Sequence, residues 1–249
     1  MNSTDLVSGL ILIMLFVIYI ITMIIRFTLC DFPYRVRYLE PYELKTGDIL
    51  CISYNNPAGV FVGSLTASAW VHTAMVWVDP ETNIRYVLEG AICRQEAYKH
   101  FYKIPVLTWL NMNRESLLAY KAYNGPEIDA EKMMKTFEPF MRDVKLEGFK
   151  YTWFRFLFND PYEEKKSYDR NYTCFEVTII LGQECGIFKK DKKFSSYFPK
   201  HVVNDLVETE EGRFYSKTIE CKLNPVETNI HFFDRSRFKN YWKHVPTKR

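Results

Sequence analysis

The chain has 249 residues, 47% hydrophobic and 16% aromatic, enough for one domain of about 200 residues with a sizeable core beside a short extra segment. A net charge of +3 with 25% charged residues argues against a nucleic-acid partner, and no basic stripe is interleaved with stacking aromatics. Six cysteines (Cys30, Cys51, Cys93, Cys174, Cys185, Cys221) form no CxxC pair and no compact disulfide framework. Reduced thiols are therefore expected, and zinc ligation by cysteine is not.

Residues 6–25 run from Leu6 to Ile25 without a charge. A helix of that length reaches ~30 Å, the depth of a bilayer's hydrocarbon layer. Bulky apolar residues continue to the end of the run and no basic residue precedes it, unlike a cleaved signal peptide. An uncleaved transmembrane anchor over 6–25 is expected. Arg26, Arg35, Arg37 and Lys45 follow the run, so the N-terminus is expected outside and the large domain in the cytosol. Residues 26–43, with Pro33 and Pro41, read as a juxtamembrane linker.

Gly47-Asp48 predicts a turn feeding a strand from Ile49. Residues 55–69 are small and glycine-bearing, a loop beside a pocket. Trp70 to Val78 and Ile84 to Gly90 are β-prone and flank Asp79-Pro80-Glu81-Thr82-Asn83, which predicts a hairpin. Residues 91–113 are mixed. Within them Ile104-Pro105-Val106-Leu107 suits an edge strand, because proline cannot donate to a central ladder. Ser116 to Tyr123 reads as a strand, and Asp129 to Met141 as a helix capped by Asp129. Residues 148–158 are aromatic-rich, which fits core packing or an apolar groove. Residues 160–170 read as a polar loop, 189–193 as a basic turn, and 200–207 as a short helix after Pro199.

Tyr172-Thr173-Cys174-Phe175-Glu176-Val177-Thr178-Ile179-Ile180-Leu181-Gly182 reads as a helix with Asn171 or Thr173 as cap and Gly182 as stop. Cys174 then lies in the first turn, where free backbone N–H groups and the helix dipole favour a thiolate. The alternative is a small buried apolar residue, the usual fate of cysteine. His72 opens one hairpin strand and Glu89 ends the other, so the two ends are neighbours across the ladder. A histidine oriented by a carboxylate is what a thiol nucleophile needs. Against this, strand-end histidines are commonly structural. His100, His201, His231 and His244 sit in no ligand-like spacing.

In this order, Leu44-Lys45-Thr46-Gly47-Asp48-Ile49-Leu50, Val71-His72-Thr73-Ala74-Met75-Val76, Tyr86-Val87-Leu88-Glu89-Gly90, Tyr172-Thr173-Cys174-Phe175-Glu176-Val177 and Tyr197-Phe198-Pro199 resemble the circularly permuted NlpC/P60 papain-like superfamily. The nearest subgroup holds YiiX-like proteins and members from large DNA viruses such as poxviruses. The lecithin-retinol acyltransferase group is a more distant relation. The resemblance implies an α+β domain over 44–207, an antiparallel sheet packed on helices, with 208–249 as a C-terminal extension. It implies Cys174 as nucleophile, His72 as base and Glu89 as the residue orienting it, with Glu176 supporting the helix start. The family commonly has a small or hydroxyl residue after the cysteine; here it is Phe175.

The function expected is cysteine hydrolysis or acyl transfer on an amide or ester through a thioester, with a membrane lipid or acylated peptide as substrate. No metal or organic cofactor is needed, and a zinc site made by His72, Glu89 and Cys174 lacks a fourth ligand. The expected anchor is not part of the core family pattern and suggests a virion or internal-membrane location. The alternative is an inactive membrane-anchored structural or host-interaction protein on the same scaffold.

Overall fold

The computed structural model describes residues 3–29, 36–53, 59, 63, 68, 70–92, 99–114, 116–143, 172–190, 202, 215 and 219–223. The aromatic stretch 148–158, the loop 160–170, most of 189–207 and the tail lie outside them, as do the side chains of Cys30, Cys93 and Cys221.

Helix α1 runs Ser3–Leu29. Its side chains are described from Val7 to Ile21 and at Ile24, and the large apolar ones are all exposed. Among the described residues no helix is long and apolar enough to cross a membrane. The expected anchor over 6–25 is thus an exposed apolar helix here, not a demonstrated span.

Among the described residues seven strands follow: β1 Val36–Leu39, β2 Ile49–Ser53, β3 His72–Val78, β4 Arg85–Ile92, β5 Lys99–Pro105, β6 Leu117–Lys121 and β7 Ile219–Leu223. They form one sheet in the order β1-β7-β6-β2-β3-β4-β5, antiparallel except for the parallel β1–β7 pair. β1 comes from the stretch expected as linker and β7 from the stretch expected as extension. The hairpin turns at Asp79–Asn83, where Asn83 takes a positive φ of 55°. Pro105 ends the edge strand and leads into α2, Val106–Met112. Val106 and Leu107 are therefore helical, not strand as expected, because Pro105 closes the ladder and its ring suits the position just before a first turn.

Helix α3 is Ala130–Asp143, with Lys132 N donating to Asp129 Oδ1 at 2.8 Å as the sequence predicts. Helix α4 is Cys174–Glu184. It runs through Gly182, correcting that residue as the stop. The helix closes instead at Gly186 (φ 75°), with Gly186 N donating to Gln183 O and Ile187 N to Gly182 O. That paired bonding needs a left-handed residue, which glycine supplies without a Cβ clash.

The central strands are buried on both faces, so their side chains alternate between two cores. On one face Ile49, Cys51, Met75, Trp77, Leu88, Phe101 and Ala119 pack with Met133, Phe137 and Phe140 of α3 and Val177, Ile180 and Leu181 of α4. On the other, Leu50, Ile52, Ala74, Val76, Val87 and Leu118 pack with Val106, Trp109 and Leu110 of α2. The fold is α+β: an almost wholly antiparallel sheet packed on helices.

Asp48 locks the turn into β2. Its carboxylate accepts from Lys45 N at 2.8 Å and Tyr123 N at 2.7 Å, and its carbonyl accepts from Val76 N. Burial outweighs these bonds and pushes the carboxyl up from 3.8 to about 6. A folded value above the unfolded one means that the native state holds the proton more tightly. The contribution to stability is then full below the unfolded value and is lost as pH rises through the folded one. Lowering the pH from 7 to 5 is expected to stabilise the fold by about 1 kcal/mol through this group. Urea titrations of wild type and Asp48→Asn at both pH values measure it: the difference should vanish in the variant.

Candidate active site

His72 is the first residue of β3 and pairs in register with Ile52 of β2. Its side chain therefore leaves the sheet on the α2 face, as Ile52 does. Glu89 of β4 shares that face. Met75 pairs with Leu88, so Glu89 falls opposite Ala74, two residues along from His72. This diagonal offset is within reach of long side chains. His72 Nε2 lies 2.7 Å from Glu89 Oε2. The side chains are 8% and 3% exposed, so little water screens the pair. A carboxylate only accepts, so against ionised Glu89 the Nε2 carries the proton and donates. The lone pair of the neutral ring is then on Nδ1, the tautomer a base requires.

Cys174 is the first residue of α4 and is half-buried. Thr173 caps the helix: its Oγ1 accepts from Glu176 N at 3.4 Å, while the Glu176 carboxylate accepts from Thr173 N at 2.7 Å and Thr173 Oγ1 at 2.9 Å. This is the reciprocal box of two capping side chains. It gives the buried Glu176 the structural role the sequence suggests. Burial drives the Cys51 thiol up to about 12 and that of the half-buried Cys185 to about 11.

Helix α4 lies along β3. Thr73 Oγ1 donates to Thr178 Oγ1 at 3.3 Å, and Thr178 Oγ1 bonds back to Cys174 O and Thr73 O. At the other end Phe188 packs on Tyr215, whose hydroxyl donates to Gly47 O beside Val76. The helix thus runs in the direction of β3. Cys174, one turn or ~6 Å before Thr178, comes level with the start of the strand. His72 and Glu89 are brought together and the Cys174 helix abuts the strand beside them. Yet Thr73, not His72, is the residue that points to α4. Among the described residues the Cys174 thiol has no hydrogen-bond partner.

The sequence reading missed the Thr73–Thr178 contact, although strand alternation from Met75 and Trp77 was a usable signal. It also missed Trp70, whose buried indole nitrogen has no hydrogen-bond partner among the described residues. Among the described residues no group of three His, Cys, Asp or Glu side chains is arranged to hold a metal. An open cleft of about 590 Å³ lined by Leu44, Lys45, Val78, Arg85 and Pro126 lies at the Val78 end of β3, away from His72.

No protein-family model and no curated protein matches this sequence. Among solved structures, the chain is similar to the metalloprotein YiiX from Escherichia coli O157:H7, with a TM-score of 0.41 and 14% identity. The alignment covers 74% of this chain and 91% of YiiX. At that level of likeness neither fold nor residue roles pass from one protein to the other.

Proposed function

We propose that the chain is a cysteine hydrolase or acyltransferase that cleaves an amide or ester through a thioester on Cys174. The observation that carries this reading is the buried His72–Glu89 pair at 2.7 Å, at the same end of the sheet as the first turn of α4. In the proposed cycle His72 takes the thiol proton, Cys174 Sγ attacks the carbonyl carbon, and first-turn N–H groups stabilise the oxyanion. His72 then protonates the leaving group, and water or an acceptor resolves the thioester. Glu89 holds the ring. The exposed apolar helix α1 supports a membrane anchor with the N-terminus outside, and hence a lipid or acylated peptide as substrate. A viral or virion setting rests on the sequence resemblance alone.

A second reading, an inactive anchored scaffold, is favoured by one observation. Strand alternation aims His72 to the sheet face opposite the one that α4 covers. Iodoacetamide labelling of the full chain in detergent at pH 6, read residue by residue by mass spectrometry, separates the two. The catalytic reading expects Cys174 to label roughly tenfold or more ahead of Cys51 and Cys185, with most of that lead lost in His72→Ala. Labelling of Cys174 at an ordinary thiol rate, indifferent to His72, would favour the scaffold.

A further inference from the structure

Thr73 follows His72 in β3 and is fully buried; Thr178 stands one turn after Cys174 in α4 and is buried too. Strand and helix meet at these two hydroxyls. Thr73 Oγ1 donates to Thr178 Oγ1 at 3.3 Å, and the single Thr178 proton is shared between Thr73 O at 3.4 Å and Cys174 O at 3.3 Å. One side chain thus ties the residue after His72 to the carbonyl of Cys174. The face around them is apolar: Cys51, which pairs with Thr73, then Met75, Val177 and Leu181. Valine has the shape of threonine and would fill both places, so packing alone does not call for two hydroxyls there. Apolar packing is non-directional and lets a helix slide along a sheet, whereas a hydrogen bond fixes one alignment. Bonding back to the carbonyl four residues earlier often bends a helix, and the turn concerned is the one that carries Cys174. We propose that Thr73 and Thr178 are positioning residues, whose hydroxyl pair sets the place of Cys174 along β3 and hence its distance from His72.

This inference rests on the thiol reading and deepens it. Neither threonine touches substrate; both act through Cys174. A thiol gives its proton to an imidazole only within hydrogen-bond reach, about 3 Å, or through one water. A misplacement of ~1 Å at such a contact can cost about 10²-fold in rate. A slip of α4 by one residue would carry Cys174 ~1.5 Å along the strand, a displacement of that order.

The test alkylates Cys174 with iodoacetamide at about pH 6 and about pH 9, in the full chain in detergent, beside a urea titration of each variant. At the higher pH thiols ionise unaided, so only the rate at the lower pH reports help from His72. Thr73→Val with Thr178→Val removes both hydroxyls and keeps the shape. This pair is expected to slow labelling roughly tenfold at the lower pH, to leave it within about twofold at the higher, and to keep the urea midpoint near wild type. Thr73→Ser with Thr178→Ser keeps the hydroxyls and drops two methyls. It should lower the urea midpoint and yet label within about twofold of wild type at the lower pH. Threonines that serve packing alone predict the reverse order. A valine pair that labels like wild type at the lower pH, while His72→Ala is slow, overturns the positioning role and spares the thiol reading. A valine pair slowed equally at both pH values overturns it as well, since access and not His72 has then changed. Wild-type labelling indifferent to His72 sinks the thiol reading itself, and this inference with it. Should the valine pair fail to fold, Thr178→Val alone takes its place, with the same rates expected and the same overturning results.

Discussion

Replacing His72 by alanine is expected to slow acylation of Cys174 by p-nitrophenyl acetate about 10²- to 10⁴-fold, the range over which a positioned general base contributes. The effect should be large because the imidazole does two jobs in the proposed cycle: it accepts the thiol proton and it balances the thiolate as a cation. Glu89→Gln isolates the second partner. Glutamine keeps the length and one acceptor oxygen, so the Nε2 donor can still be met, but the carboxylate charge that favours imidazolium is gone. The expected loss in acylation is roughly tenfold to a hundredfold, smaller than for His72→Ala. The double variant should lose little more than His72→Ala alone, since Glu89 acts only through the ring. Stability gives an independent view of the same contact. His72→Ala leaves a carboxylate that is 3% exposed without the imidazole, and about 1–3 kcal/mol should be lost in urea titration. A stability loss of that size without a rate loss would show that the pair braces the hairpin and nothing more.

Much of this arrangement is readable in the residues. The Gly47-Asp48 turn, the hairpin at Asp79–Asn83 and the Thr173 cap each have a local chemical signature: a positive φ, a run of turn formers, a hydroxyl three residues before an acid. The His72–Glu89 pairing follows from the hairpin, because a short turn leaves little choice of register. What escaped was non-local. β1 and β7 pair Val36 with Glu220, so neither short strand has a neighbour in sequence to reveal it. Helix α2, from Val106 to Met112, is too short to display a helical period. The face on which His72 emerges was available from alternation, but a histidine opening a strand beside a cysteine helix invites the assumption that the two point at each other. Trp70 carries no sequence signal at all. An orphaned N–H is a property of packing, visible only once the ring's surroundings are known.

Gly182→Ala is expected to destabilise the fold by about 2 kcal/mol, although alanine is the better helix former. Two effects of opposite sign compete. In a helix interior alanine should gain about 1 kcal/mol over glycine. At Gly182, however, the added Cβ runs into the Phe188 ring, overlapping Cδ2, Cε2 and Cγ. The ring has little freedom to retreat. Phe188 N and Ile187 N both donate to Gly182 O, at 3.1 and 2.7 Å, which ties the backbone carrying the ring to the residue it would have to leave. The ring also packs on Tyr215, with centroids 6.0 Å apart. Overpacking of a rigid contact costs about 1–3 kcal/mol, and here the upper part of that range applies, so the clash wins. Gly186→Ala separates this cause from backbone strain. No atom lies within 4 Å of a Cβ there, but φ is +75°. That variant should lose about 1 kcal/mol, and its loss should not depend on Phe188. Pairing Gly182→Ala with Phe188→Leu should recover part of the stability by making room, whereas Gly186→Ala with Phe188→Leu should simply add. If Gly182→Ala instead raises the urea midpoint, the ring yields and helix propensity decides the outcome. The close seat of α4 on the Phe188 turn would then not be what sets the position of Cys174 at the other end of the helix.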